Sequence, residues 1–320
     1  MTTRVMFSNN AEAVAVLGKN DEHIKLIRSA FSAHISTRGD VINISGLDDE
    51  VKAVKALFSQ LQNIHRSGNV IQKRDVEYRL SMLEANKSGK LSELCDDIII
   101  MSSRGRQIKP KTIGQKTYID AIRKNFITIG IGPAGTGKTY LAVAMAALAL
   151  RNREVERLIL TRPAVEAGEK LGFLPGDMQE KVNPYLRPLY DALNDILGVE
   201  LFQKYTARGI IEVAPLAYMR GRTLDDAYIV LDEAQNATPE QMKMFLTRLG
   251  FGSKMIAVGD VTQVDLPVRQ LSGLEQVAQI LDGVDGIGIV YLNETDVVRH
   301  EVVGRIIMAY ARQEAKHSDC

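Results

Sequence analysis

Midway along the chain stands Gly132-Pro133-Ala134-Gly135-Thr136-Gly137-Lys138-Thr139, and a second stretch, Ala227-Tyr228-Ile229-Val230-Leu231-Asp232-Glu233, ends an apolar run in two adjacent acids. The first fits the spacing G-x-x-x-x-G-K-[ST], in which glycines let backbone N–H groups turn inward on a phosphate at the positive end of the helix that follows. Lys138 would then reach the β- and γ-phosphates of a nucleotide and Thr139 would ligate Mg²⁺, with the run from Gly132 to Tyr140 as the predicted cofactor-binding stretch. An acid at the tip of an apolar strand beside such a loop holds Mg²⁺ through water, which is the role predicted for Asp232. Glu233 is left free to orient an attacking water, and that second acid favours hydrolysis over phosphoryl transfer to a small molecule.

These residues need elements that hold them. Phe126 to Ile131 precedes the loop as an apolar strand candidate and Leu141 to Leu150 follows as a helix. Further strand candidates are Arg157 to Leu160, Ile210 to Val213, Ala227 to Leu231, Met255 to Val258 and Ile287 to Leu292, several without alternation, as buried parallel strands require. The intervals are long enough for crossover helices, so the expected fold is a three-layer α/β/α RecA-like P-loop NTPase core.

Three further motifs resemble parts of superfamily 1 and 2 helicases. Pro110 to Ile119 contains Gln115, whose amide offers the donor and acceptor that an adenine edge requires, favouring ATP over GTP. Gly259-Asp260-Val261-Thr262-Gln263 resembles helicase motif III, with Gln263 as a sensor of the γ-phosphate or the water. Leu160-Thr161-Arg162-Pro163 resembles motif Ia, which touches nucleic-acid backbone, and Arg162 is its candidate contact; a plain surface loop is the other reading. Two lookalikes are rejected. Asn86-Lys87 lacks the following acid of a guanine reader, and Gln270 to Gln276 follows the Asp232 motif where a transporter signature would precede it, so it reads as a helix start.

At 320 residues, 45% hydrophobic and 25% charged, the composition is that of a globular protein of one large domain with a smaller companion. The net charge of +1 gives no whole-molecule basic field, though local patches remain open. Cys95 and Cys320 are far apart and have no ligand-spaced histidines, so neither a disulfide framework nor a zinc site is expected, and a reduced, cytoplasmic setting follows. The N-terminus has no signal-peptide apolar region, and no apolar run reaches the roughly 20 residues of a membrane span.

In the N-terminal third, Ala11 to Leu17 reads as a short strand and Asp21-Glu22 opens a helix with Ile24, Leu26, Ile27 and Phe31. His34 to Arg38 and Val41 to Ser45 form a hairpin about Gly39-Asp40. Asp48 or Asp49 then caps a helix whose Val51, Val54, Leu57, Phe58, Leu61 and Ile64 make one buried face. This β-α-β-β-α order, with Leu17-Gly18 and Ile44-Ser45-Gly46, resembles a small α+β KH-like RNA-binding module. The turn Leu17 to Asp21 carries only Gly18 where that module has two glycines, so contact with RNA or a ribosome stands beside a protein-docking or structural role. Lys73 to Lys87 reads as a bridging helix and Asp97 to Met101 as a strand. The basic stretch Arg104, Arg106, Lys109, Lys111 and Lys116 reads either as a solvated linker or as a phosphate-backbone contact. The expected division is 1–75 KH-like, 76–110 connector and 111–320 ATPase core.

Thr161 to Asp177, Pro184 to Asp191 and Pro215 to Thr223, together with the nucleotide motifs, resemble the PhoH-like ATPases over nearly the whole chain. The resemblance implies an ATP- and Mg²⁺-binding, single-core relative of superfamily 1 helicases linked to phosphate starvation and RNA metabolism. It also places Arg299, in Asp296-Val297-Val298-Arg299-His300, where the family has an arginine that would stabilise transition-state charge. Long family members carry a nuclease domain whose two-metal acidic cluster the N-terminal third here lacks. The stretch 264–320 is too short for a second motor lobe, so a homo-oligomer, in the form of a ring, is expected to bring Arg299, or Arg220 and Arg222, to a neighbour's nucleotide. The functional expectation is an ATPase coupled to RNA or ribosome work. An ATP-gated binding module with slow hydrolysis and a phosphotransferase are the alternatives.

Overall fold

The computed structural model describes residues 1–84, 97–163, 178–267, 271–298 and 302–303, with side chains at 81, 84 and 178–185 left undescribed. They fall into two compact units, one built on Met1–Ile98 with Lys111–Ile113 and the other on Ile99–Pro110 with Gly114–His300.

The N-terminal unit is a three-stranded antiparallel sheet under helices. Its strands β1 (Thr2–Met6), β2 (His34–Arg38) and β3 (Val41–Ser45) lie in the order β1-β3-β2, so Val5 faces Ile42 across one pair and Ile35 faces Ile44 across the other. Helices α1 (Asn10–Leu17), α2 (Glu22–Ala30), α3 (Asp48–Arg66) and α4 (Lys73–Glu84) supply Val16, Ile24, Ile27, the apolar face of α3, Val76 and Leu80 to one core. The hairpin and the α3 face match the sequence reading. Two corrections concern the start. Ala11–Leu17 is helical, because Asn9 caps it by accepting from Glu12 N–H and its alanines favour helix, while the first strand is Thr2–Met6. The order is therefore β-α-α-β-β-α. Neither Asp48 nor Asp49 is the cap of α3; Leu47 holds that position and both acids lie in the first turn, where they complement the helix dipole. Between α1 and α2, Gly18 (φ 83°), Asn20 (φ 56°) and Asp21 (φ 61°) turn the chain through left-handed conformations.

The larger unit is a six-stranded parallel sheet with helices on both faces. Strands β6 (Ile127–Ile131), β7 (Arg157–Arg162), β8 (Ile211–Pro215), β9 (Ala227–Leu231), β10 (Lys254–Gly259) and β11 (Ile287–Tyr291) are ordered β11-β6-β10-β9-β7-β8. The predicted strand from Asp97 shrinks to β4 (Ile100–Met101), paired with β5 (Gln107–Ile108) in a separate ribbon whose turn carries Arg104 and Arg106. β6 and β9 are buried at all five positions, as strands covered on both faces must be. One face packs against α6 (Lys138–Arg151) and α7 (Met178–Leu197), the other against α9 (Pro239–Leu246) and α10 (Gly273–Leu281), with α5 (Ile113–Lys124) and α8 (Val199–Ala207) completing the first layer. β10 is threaded between the strand that enters the glycine-rich loop and the strand that ends in Asp232. All six strands point the same way, so their C-terminal ends make one rim, where such sheets place ligands. Among the described residues no helix is long and apolar enough to cross a membrane.

Candidate nucleotide site

The glycine-rich loop leaves β6 and enters α6 through two left-handed residues, Gly135 (φ 86°) and Gly137 (φ 81°). A side chain at either would be strained. At Gly132 the constraint is space, since a Cβ there would stand 2.6 Å from the Leu292 carbonyl oxygen. The turn leaves backbone donors uncommitted: among the described residues the N–H groups of Gly135 and Gly137 meet no protein acceptor. Uncommitted amides at the start of a fourteen-residue helix are donors of the kind that a polyphosphate requires. Lys138, only 8% exposed, bends its Nζ over the loop onto the carbonyl oxygens of Gly132 (2.6 Å) and Pro133 (2.9 Å). An ammonium held against the same loop matches the charge of a bound phosphate.

Thr139 Oγ1 donates to Asp232 Oδ1 at 2.6 Å, joining the first turn of α6 to the tip of β9. A hydroxyl and a carboxylate in contact at a sheet's C-terminal rim fit the hard-oxygen ligation of Mg²⁺, with the nucleotide phosphates supplying further oxygens. Burial pushes the Asp232 carboxyl above its ordinary range; the Thr139 hydroxyl opposes that, Glu233 adds to it and Arg162 opposes it. A cation bound there would remove the cost of the buried charge.

Glu233 adopts a left-handed backbone (φ 51°, ψ 41°), a conformation that costs a non-glycine residue about 1 kcal/mol and is worth explaining by function. Its carboxylate is gripped on both oxygens: Gln235 Nε2 donates to Oε2 at 2.6 Å and Arg162 Nη2 lies 3.3 Å from Oε1. Arg162 Nη1 also stands 4.0 Å from Asp232 Oδ2. Its guanidinium faces the two acids, because β7 lies beside β9 in register and delivers its last residue to the same rim.

Asp260, just past the end of β10, ties the loop to the rim. Its Oδ2 accepts from Ala134 N–H in the loop at 2.9 Å, and its own N–H donates to Gln235 Oε1 at 3.0 Å. Gln263 has an exposed side chain, and its bond in this network is the main-chain carbonyl that accepts from Gln235 Nε2 at 3.1 Å. The chain of contacts thus closes on itself, from the loop through Asp260, Gln235, Glu233, Arg162 and Asp232 to Thr139.

Gln115, 3% exposed, donates from Nε2 to the Thr136 carbonyl oxygen at 3.0 Å. The amide predicted to read adenine therefore supports the loop from beneath with its donor. Tyr140 donates its hydroxyl to Asp195 Oδ2 at 2.8 Å, and Arg106 pairs with the other oxygen of Asp195. Burial, the Asp195 hydrogen bond and its charge raise the Tyr140 hydroxyl well above its ordinary pKa. Arg222 is held bidentate by Glu212 at 2.6 and 2.8 Å. Sequence reasoning missed Asp296, 3% exposed, which accepts from Gly114 N–H and Asn293 N–H, while Val298 N–H donates to the Gly135 carbonyl. Arg299 itself lies outside the described residues, as do Cys95, Cys320, the tract 164–177, Asn86-Lys87 and Gln270.

A family model described as PhoH-like protein matches residues 107–311. A PhoH-like protein of Bacillus subtilis is 52% identical over 95% of this chain and 96% of its own length, and one of Mycobacterium tuberculosis is 52% identical over 94% and 85%. Protein PhoH of Escherichia coli is 39% identical over 83% of this chain and 78% of its own. Among solved structures, a SWI2/SNF2 ATPase core of Sulfolobus solfataricus in complex with double-stranded DNA aligns with 57% of this chain and 44% of its own at 13% identity and a TM-score of 0.34, too low to bear on function.

Proposed function

The chain belongs to the PhoH-like family, and from that premise we propose that it binds ATP with Mg²⁺ and hydrolyses it, coupling the reaction to RNA or ribosome-related work in the cytoplasm. The observation that carries the reading is the 2.6 Å contact between Thr139 and Asp232 beneath the lysine-bearing loop. The loop amides and Lys138 would hold the β- and γ-phosphates, and Mg²⁺, bound through Thr139 and Asp232, would supply charge neutralisation at the transferring phosphoryl group. Glu233 would accept a hydrogen bond from the attacking water and set its line of approach. Asp260 would keep the loop open against the sheet through Ala134. Arg299 would come to the phosphates from the same chain or from a neighbour in an oligomeric ring.

The grip of Arg162 and Gln235 on Glu233 favours one alternative, an ATP-gated binding module that hydrolyses slowly and releases an RNA or protein partner as it does so. A phosphotransferase is disfavoured by Glu233. The test is phosphate release with and without single-stranded RNA at low salt, for the wild type and Glu233→Gln. The coupled ATPase reading expects stimulation by RNA and a loss of about 10² to 10⁴ in the variant, the usual worth of a positioned base. An RNA-insensitive rate removes the RNA coupling, and a phosphorylated product in place of free phosphate would install the phosphotransferase.

A further inference from the structure

Gln235 stands two residues beyond Glu233 and is 1% exposed, so its amide must find partners within the protein. Nε2 donates to Glu233 Oε2 at 2.6 Å and to the Gln263 carbonyl at 3.1 Å, and Oε1 accepts from the Asp260 N–H at 3.0 Å. These bonds fix which way the amide faces: turned over, it would set a carbonyl oxygen against a carboxylate and an amino group against an N–H. Space is kept for it as well, because a Cβ on Gly259 would stand 2.6 Å from Gln235 Oε1. Its anchor is equally committed. Asp260 Oδ1 accepts from the Thr262 N–H and hydroxyl at 3.0 and 2.7 Å, while Oδ2 accepts from Ala134 N–H in the loop at 2.9 Å. Asn236, next in the same turn, accepts from the Asp265 N–H at 2.8 Å and clamps the far end of that segment.

We propose that Gln235 is a positioning residue that aims the Glu233 carboxylate at the water attacking a loop-bound phosphate. The inference rests on the hydrolytic reading of the site and deepens it. A glutamate's terminal torsion is broad, so an unheld carboxylate samples many directions. The Gln235 bond, donated to a charged acceptor, narrows them. It fills one of about four acceptor positions on the carboxylate and leaves others for water. Direction alone is not sufficient, since the base must also be placed against the phosphate. Bonds in series do this, from Ala134 in the loop to Asp260, from Asp260 to Gln235 and from Gln235 to Glu233. The loop that receives the nucleotide and the acid that orients the water thus share one frame. Arg162 faces the other oxygen of the carboxylate at 3.3 Å and balances its charge.

An aiming role lowers turnover and spares binding. In Gln235→Leu, which removes donor and acceptor at similar volume, kcat for phosphate release falls about 10- to 100-fold, the cost of a displacement of about 1 Å. KM for ATP and the affinity of a fluorescent, non-hydrolysable analogue with Mg²⁺ stay within about twofold of wild type. Gln235→Glu keeps the acceptor for Asp260 and loses the donor to Glu233, and it reads the same split should the leucine variant fail to fold by thermal melting. In the double variant, Gln235→Leu adds nothing to the loss in Glu233→Gln, because the group it aims is already gone. A folded Gln235 variant with wild-type kcat overturns the inference. So does a loss that adds in full to that of Glu233→Gln, or one that appears wholly as weaker analogue binding, which would make Gln235 a support of the loop. A wild type that binds the analogue yet releases no phosphate, or a Glu233→Gln variant at full rate, refutes the hydrolytic reading and the inference with it. Normal turnover in Gln235→Leu beside a crippled Glu233→Gln refutes the aiming role alone.

Discussion

In the N-terminal unit the buried polar groups are scattered, and several bond only to near neighbours in the same small core. Glu12 takes Arg66 at 2.7 Å and the Ser8 N–H, Gln62 donates to the Met6 carbonyl, and buried His23 lies 3.2 Å from the Val16 carbonyl. In the core, by contrast, Gln115, Thr136, Lys138, Asp232, Gln235, Asn236, Asp260 and Asp296 are all buried around the C-terminal rim of one sheet. Burying a polar group carries a cost unless it is hydrogen-bonded. A fold distributes that cost when the groups serve packing alone, whereas concentration at one rim, with the Gly135 and Gly137 amides left without protein acceptors, is the pattern of a site. The first region holds a shape and the second holds a charge distribution.

That contrast can be broken most forcefully in the first region. Phe58, fully buried on α3, should cost about 3–5 kcal/mol of stability in that unit when replaced by alanine, read by chemical denaturation. Nucleotide affinity of the folded fraction should stay as it was. A matching loss of affinity would show that the polar rim depends on the apolar unit, and the comparison would collapse. Lys138→Ala should have the opposite profile: a loss of about 1.5–3 kcal/mol in ATP binding, roughly 10- to 100-fold, with little change in melting temperature. The smallest effect is expected at Glu12. Burial would raise its carboxyl, but the Ser8 N–H and Arg66 outweigh it and leave the pKa below the ordinary range. A depressed folded-state value contributes stability above the unfolded pKa and loses it as pH falls through the folded one. Glu12→Gln should therefore destabilise the unit by about 1 kcal/mol at neutral pH, and the gap to wild type should close on acidification below about pH 4, the usual glutamate range. A gap that stays constant with pH would mean that Arg66 and the Ser8 amide do not read the charge.

How much of this was legible differs between the two regions for a physical reason. The glycine loop and the Asp232-Glu233 tip could be read directly, since each is a local run whose residue types are fixed by phosphate and metal chemistry. So could the hairpin His34–Ser45, where period-two alternation flanks a turn. Asn10–Leu17 misled because Ala-Glu-Ala-Val-Ala-Val alternates like a strand; the Asn9 cap ahead of Glu12 was the available signal for helix. Thr2–Met6 has one buried residue and becomes a strand only by pairing with β3, a contact between distant parts of the chain. Arg162, Gln235 and Asp260 are long-range in the same sense. Asp260 meets Ala134 because β10 is inserted between β6 and β9, and strand order is not written in any local pattern. Gln263 attracted the motif reading, yet the residue at the turn of the strand is the one whose side chain touches the loop.

The central claim is that the rim is a Mg²⁺-nucleotide cradle. Its most direct test is titration of a fluorescent ATP analogue into the wild type and Thr139→Val, each with Mg²⁺ and with a chelator. The variant keeps the volume of the side chain and removes the hydroxyl that touches Asp232. The account predicts tighter binding with Mg²⁺ in the wild type, by about tenfold or more, and loss of that Mg²⁺-dependent gain in the variant. Equal affinities in all four titrations would contradict it.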